Sequence, residues 1–148
     1  MRHLLTLGLA IAIGANAAPA QNVTLRLDFA TGEANAGADM LSRLPINRAW
    51  SDSVSVYFND ELRQRGPSNL VRTQAAGLTP NYRLMVQPLP MMAGIQPTGI
   101  VVYSVVLFRP PAIGTSWVYI DSTVGYTRSA AEAAASILTF LNGELRPH

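Results

Sequence analysis

The chain has 148 residues, of which 49% are hydrophobic and 14% charged, with a formal net charge of +2 and no cysteine. These values exclude a disulfide framework, and the absence of a clustered basic face argues against nucleic-acid binding through bulk charge. The chain has no lysine, and its histidines are His3 and His148 at the two ends. A histidine-activated nucleophile, a lysine Schiff base and a zinc site of His or Cys ligands are therefore not expected.

Residues 1–20 have the features of a signal peptide. A positive residue precedes an apolar run of ten, and the small residues that follow offer signal peptidase a cut after Ala17 or after Ala20. Ten apolar residues fall well short of the roughly 20 that span a bilayer. We therefore expect cleavage, export to the periplasm or beyond the cell, and one domain at residues 21–148 without stable membrane insertion.

The first element after the signal is a strand. Residues 23–29, "VTLRLDF", alternate apolar and polar side chains, as a half-buried strand does. Residues 30–38 are rich in Gly and Ala and predict a loop. A short helical turn at residues 39–44 would end at Pro45.

Residues 51–65 have two interpretations. Apolar residues recur every four positions from Val54, Ser51 or Asp52 would cap a helix, and a Gly-Pro pair follows the stretch. The alternative is a strand at residues 53–58, where β-branched residues alternate. The polar stretch at residues 59–65 favours the helix.

Two strands are predicted next, at residues 68–73 and 81–87. Pro88 and Pro90 would end the second, because proline lacks the N–H group that a strand ladder needs. Residues 91–99 are then a connection to the following strand.

Residues 100–108 form a mostly apolar run of nine that only Ser104 interrupts, too short to span a membrane and rich in valine. Both faces of such a strand are apolar, which is typical of the middle of a sheet with part of its second face covered. The predicted faces are Ile100, Val102, Val106 and Phe108 on one side and Val101, Tyr103, Val105 and Leu107 on the other.

A hairpin leads to the strand at residues 117–127, and the chain closes with a helix after Ser129. Ser129 and Glu132 have the spacing of a capping box, in which each side chain bonds the other residue's backbone N–H. Apolar residues follow at helical spacing. The fold class is therefore α+β: a four- to five-stranded antiparallel or mixed sheet with two helices packed on one face. The faces predicted for the last strand are Val118, Ile120, Val124 and Tyr126 against Trp117, Tyr119, Asp121 and Thr123.

Four residues are candidates for binding a ligand or partner. Met91 and Met92, between prolines, would form an adaptable apolar lip, or else fold over the sheet edge. Trp117 and Tyr119 would form a binding platform, or else pack in the core or against a helix. We expect no cofactor, no metal and no catalytic residue, and a partner that is an envelope protein or a small apolar ligand.

An alternative function is a small carbohydrate-active hydrolase. Asp28 and Asp121 are the carboxylates that would form its catalytic pair, although both are also explained as solvent-facing strand residues. A second alternative is a structural subunit that assembles through an exposed sheet edge.

From about residue 51 onward the order of elements resembles small bacterial envelope domains with an anticodon-binding-like α/β fold. These are the auxiliary component of ABC-type lipid transporters, the amino-terminal domain of TolB and the curli-secretion lipoprotein. The resemblance implies a non-catalytic accessory or binding role in the cell envelope and assigns no site residue, and the missing lipidation cysteine departs from the lipoprotein members. The segments that carry it are "SDSVSVYFNDELRQRG", "LVRT", "NYRLMVQPL", "GIVVYSVVLFRP", "WVYIDSTVGYT" and "SAAEAAASILTFLNGEL".

Overall fold

The computed structural model of the protein describes residues 21–30, 45–75 and 77–145. The predicted signal peptide, the loop at residues 31–38 and the helical turn at residues 39–44 lie outside these ranges. The elements, in chain order, are β1 (Val23–Phe29), α1 (Pro45–Arg65), β2 (Leu70–Arg72), β3 (Tyr82–Ala93), β4 (Gln96–Arg109), β5 (Val118–Thr127) and α2 (Ala130–Glu144).

The five strands form one mixed sheet in the order β2-β1-β3-β4-β5. β1 is parallel to both β2 and β3, whereas β3, β4 and β5 are joined by antiparallel pairing. Both helices contribute to the hydrophobic core on one face of this sheet. The predicted α+β class, with a mixed sheet and two helices, is confirmed.

The core lies between the helices and the inner face of the sheet, which we define as the face that bears the buried side chains of β4. These alternate residues are at most 4% exposed. α1 contributes a buried stripe at helical spacing and α2 contributes a second one. The core residues of the two central strands and the helices are Leu84, Val86, Val101, Tyr103, Val105, Leu107, Trp50, Val54, Phe58, Leu62, Ala133, Ala134, Ile137, Leu138 and Leu141.

α1 is helical throughout residues 51–65, so the alternative strand at residues 53–58 is rejected. It begins at Pro45, and the predicted caps Ser51 and Asp52 instead lie inside it. Proline is well suited to the first helical position, because the N–H group that it lacks would have no partner there. The predicted end is confirmed, since the Gly66 N–H donates to the Leu62 carbonyl at 2.9 Å.

The prolines do not end β3, which continues to Ala93. β1 pairs with β3 only as far as Val86, so the later residues of β3 have a single neighbour, β4. Proline is tolerated where a strand has one free side. The connection predicted at residues 91–99 is likewise wrong: most of it extends the β3–β4 hairpin around Gly94 and Ile95.

A β-bulge in β5 changes the predicted faces of that strand. Phe108 pairs with Tyr119 and Leu107 with Asp121, so that one extra residue, Ile120, lies between them. An extra residue reverses the alternation on one side of the bulge. Tyr119 therefore shares a face with Val124 and Tyr126, contrary to the prediction.

α2 has the predicted N-cap. The Ser129 hydroxyl accepts from the Glu132 N–H at 3.4 Å, but Glu132 does not return the bond to the Ser129 backbone. Thr127 takes that place: its hydroxyl accepts from the Ser129 N–H at 2.9 Å and donates to a Glu132 carboxylate oxygen at 2.6 Å. The Ser129 N-cap is thus confirmed, whereas Thr127 replaces the reciprocal bond of the predicted capping box and links Ser129 to Glu132. Neither α1 nor α2 is long and apolar enough to cross a membrane.

Two glycines give a matched test of the packing between β4 and β5. A Cβ atom at Gly125 would lie 2.4 Å from the Tyr103 ring, whereas one at Gly143, inside α2, would meet nothing within 4 Å. We expect Gly125→Ala to lower the free energy of unfolding by about 1–3 kcal/mol, because the buried ring must move. Gly143→Ala should raise it by about 0.5–1 kcal/mol through helix propensity. Urea unfolding followed by circular dichroism measures both, and equal effects would contradict this packing.

Candidate functional site

The sheet face that points away from the helices, here called the outer face, has an apolar half on β3, β4 and β5. Leu89, Val102 and Tyr126 lie in one row across the three strands. Val124 stands beside them on β5. Leu89 is 50% exposed, Val124 71% and Tyr126 81%. Among the elements of the described chain, none packs on this row.

The other half of the outer face carries an ion-pair network. Asp28 on β1 accepts from Arg26 Nε at 3.0 Å and from Arg83 Nε at 2.6 Å. The Arg83 guanidinium also lies over the Trp117 ring, 5.8 Å from its centroid, within the range of a cation–π contact. Two guanidinium groups share one carboxylate, so this half of the face is positively charged.

The two predicted aromatic residues lie near this network. Trp117 is half-buried and precedes β5, with one side of its ring covered by Arg83. Tyr119 is 56% exposed, and its hydroxyl lies 3.1 Å from Ser122 Oγ. Neither residue belongs to the hydrophobic core cluster, so core packing, the alternative considered for them, does not describe their position.

The predicted methionines lie at the opposite end of the sheet. Met91 is 46% exposed, Met92 is half-buried, and Met92 pairs with Pro97 at the hairpin tip. Tyr119 pairs with Phe108 instead. Eleven residues of β4 separate these two positions, which corresponds to about 36 Å at 3.3 Å per residue. The structure therefore does not bring the methionines and the aromatic residues into one site.

Asp28 and Asp121, the carboxylates of the hydrolase alternative, occupy register positions on opposite faces of the sheet, although the Asp121 carboxylate lies 3.4 Å from the Tyr119 hydroxyl. Asp28 pairs with Met85 on the outer face, whereas Asp121 pairs with Leu107, whose side chain is in the core. β1 and β5 are also three strand spacings apart, about 14 Å. Catalytic carboxyl groups of glycosidases lie about 5–9.5 Å apart, so these two residues do not form such a pair.

Arg72 of β2 is a half-buried cationic group. Its guanidinium donates to the Ser55 carbonyl at 3.2 Å, to the Ser55 hydroxyl at 2.9 Å and to Asn59 Oδ1 at 2.7 Å. Desolvation by burial lowers the pKa of Arg72, and Asp28 acts in the opposite direction. The bonds join β2 to α1, which is a structural role.

No group of three or more His, Cys, Asp or Glu side chains with the geometry of a metal site occurs in the described ranges. The outer face has exposed apolar side chains on one side, which can contact an apolar surface, and two guanidinium groups on the other, which can contact an anionic group.

Sequence reasoning missed the Asp28 network and the role of the apolar row. Arg26 and Asp28 are two residues apart on a predicted strand, which places them on one face. This spacing could have predicted their ion pair. The contribution of Arg83 had no such signal, because it depends on which strand lies beside β1.

No protein-family model matches the chain, and no curated protein matches it. Among solved structures, it is similar to protein XCC0632 from Xanthomonas campestris, of the family DUF330, with 16% identity, a TM-score of 0.42 and coverage of 86% of this chain and 85% of the other. It is also similar to a PelC dodecamer from Paraburkholderia phytofirmans, with 15% identity, a TM-score of 0.40 and coverage of 86% and 90%.

A third similar structure is the hypothetical protein CT253 from Chlamydia trachomatis, with 12% identity, a TM-score of 0.36 and coverage of 72% of each chain. All three are bacterial proteins. None of the three descriptions names the transporter, TolB or curli families that the sequence resembles, so that resemblance stays a prediction.

The network on the outer face predicts a spectroscopic change at one of the two tryptophans. We expect Arg83→Gln to shift the indole ¹H–¹⁵N resonance of Trp117, because the cation over its ring is removed. The resonance of Trp50, which is 8% exposed and packs 5.6 Å from the Tyr103 ring, should stay in place. A shift of both resonances, or of Trp50 alone, would contradict the described contact.

Proposed function

We propose that this chain is a non-catalytic exported binding protein of the bacterial cell envelope, and that it binds another protein through the outer face of its sheet. The observation that carries the proposal is the exposed apolar row formed by Leu89, Val102 and Tyr126 with Val124 beside it. Contiguous exposed apolar side chains on a soluble domain are typical of an interaction surface.

The shape of this surface favours a protein over a small apolar ligand. Small-molecule sites are concave and bury most of the ligand, whereas protein interfaces are broad surfaces with an apolar centre and a polar rim. The outer face combines the apolar row with the positively charged Arg26–Asp28–Arg83 network at its side. The expected partner therefore has an apolar surface flanked by a carboxylate.

Export and the accessory role rest on the sequence: the signal-like residues 1–20, the resemblance to envelope domains, and a set of side chains without internal histidine, cysteine or lysine. The separation of Asp28 from Asp121 supports the binding role over the hydrolase alternative, because it removes the carboxylate pair that the hydrolase would need.

Export is tested by the mature amino terminus. We expect the protein recovered from the periplasm or culture medium of a bacterial host to begin at Ala18 or Gln21, as intact mass spectrometry would show. Protein retained in the cytoplasm with Met1 in place would contradict the export proposal, and it would leave the binding surface to be tested separately.

The binding surface is tested by photocrosslinking in the envelope. Benzoylphenylalanine at Val124 should form an adduct with a partner, whereas the same group at Val56, which is 61% exposed on α1, should not. With the partner identified and purified, Val124→Arg should weaken binding by about tenfold or more, since a charge is placed in an apolar contact. Val56→Arg is the matched control and should bind normally.

Equal crosslinking at Val124 and Val56 would contradict the proposed surface, as would normal binding by Val124→Arg. Recovery of a lipid in place of a protein adduct would support the small-ligand alternative instead.

A further inference from the structure

Among the described strands, β5 is the long strand at an edge of the sheet. The sheet order ends at β2 on one side and at β5 on the other, and these strands have three and ten residues. Short strands, prolines and charged side chains are the usual protections of an edge against pairing with another chain. β2 is protected by its length. β5 has no proline and a single charged residue, Asp121, whose carboxylate accepts from the Ser122 N–H at 2.8 Å.

Because of the bulge, the two side-chain faces of β5 match those of a second, antiparallel copy of β5. On the outer face it carries Tyr119, Ser122, Val124 and Tyr126, and on the inner face Asp121, Thr123, Gly125 and Thr127. In an antiparallel pair, residues that lie opposite each other must share a face. A two-fold axis at Thr123 satisfies this condition along the whole strand, with Ile120 as the extra residue in each copy.

We propose that two copies of this chain pair antiparallel through their β5 edges, with Thr123 at the two-fold axis, and form one continuous ten-stranded sheet. The recognised partner is a second copy of this chain. This pairing is a separate contact from the binding surface of the outer face, because it forms through the backbone of the edge, although Tyr126 takes part in both.

In this register, the side chains that lie opposite each other form favourable cross-strand pairs. Tyr119 of one copy lies opposite Tyr126 of the other, twice, and Thr123 lies opposite Thr123; aromatic pairs and Thr pairs are favourable across strands. Asp121 lies opposite Gly125, which adds no side chain of its own to this pair. The two Asp121 side chains are four residues apart along the strands, about 13 Å, so their repulsion is weak.

Other two-fold positions are less favourable. An axis at Asp121 would place two carboxylates directly opposite each other, which is destabilising. An axis at Ser122 or Val124 keeps the faces matched but leaves part of the strand unpaired. The axis at Thr123 is the one that spans the whole strand, Val118–Thr127, and leaves only Ile120 unpaired in each copy.

Because the chain has no cysteine, a disulfide between two copies can form only at an introduced cysteine, and its formation is a specific test of this register. Opposite Cα atoms in an antiparallel pair lie about 4.5–5.5 Å apart, within the range that a disulfide spans. We expect Thr123→Cys to form a covalent dimer under mild oxidation. Tyr126→Cys alone should not, because its two copies would be far apart, but a mixture of Tyr119→Cys with Tyr126→Cys should form the mixed dimer. Val56→Cys on α1 is the matched exposed control.

A charge exchange at the axis tests the same contact without a covalent bond. Thr123 is half-buried and lines a groove between β5 and α2 that has space for a longer side chain. Thr123→Lys and Thr123→Glu should each weaken dimerisation by about tenfold or more, since like charges meet at an interface. An equimolar mixture of the two variants should restore the dimer, as sedimentation velocity would show, while circular dichroism confirms that each variant is folded.

A wild-type protein that stays monomeric at high concentration would overturn the proposal. So would folded Thr123→Lys and Thr123→Glu variants that dimerise as the wild type does, or Thr123→Cys that crosslinks no more than Val56→Cys.

Discussion

Burial of the inner side chains of β4 beneath the two helices is the interaction on which the rest of the structure depends. Val101, Tyr103, Val105 and Leu107 are all at most 4% exposed, and each large apolar side chain buried in this way contributes about 1.5–3 kcal/mol of transfer free energy. The opposite side chains of β4, such as Val102 and Val106, are also apolar. Because both helices pack on the inner face, the outer face retains apolar side chains that water contacts.

The parallel pairing of β1 with β2 and β3 constrains the positions of the neighbouring elements. α1 connects the parallel strands β1 and β2, and Arg72 then holds β2 against α1 through Ser55 and Asn59. β1 ends beside Val86, so β3 continues with one free side. That free side admits Pro88 and Pro90, which are buried on the inner face, and it allows the long hairpin that carries Leu89 into the outer apolar row.

Several elements were predictable because their signals are local. The alternation of residues 23–29 predicted β1 at the observed bounds, and the spacing from Val54 to Leu62 predicted the buried stripe of α1. The cap at Ser129 was predictable for the same reason, since a cap depends on residues within one helical turn. The start of α1 was missed because a proline was taken as a helix end, when it also fits the first turn.

The sequence by itself determined most of the strand and helix content, the absence of an internal His, Cys or Lys, and which residues of β4 share a face. Only the tertiary structure decided that Arg83 joins Arg26 on Asp28, that Asp28 and Asp121 occupy register positions on opposite faces, and that Tyr119 shares the outer face with Tyr126. These facts depend on strand order and on one extra residue in the β4–β5 ladder. The local periodicity of the sequence predicts neither the strand order nor the bulge. Strand order depends on packing across the whole sheet, and a single-residue bulge reverses the faces of all side chains on one side of it.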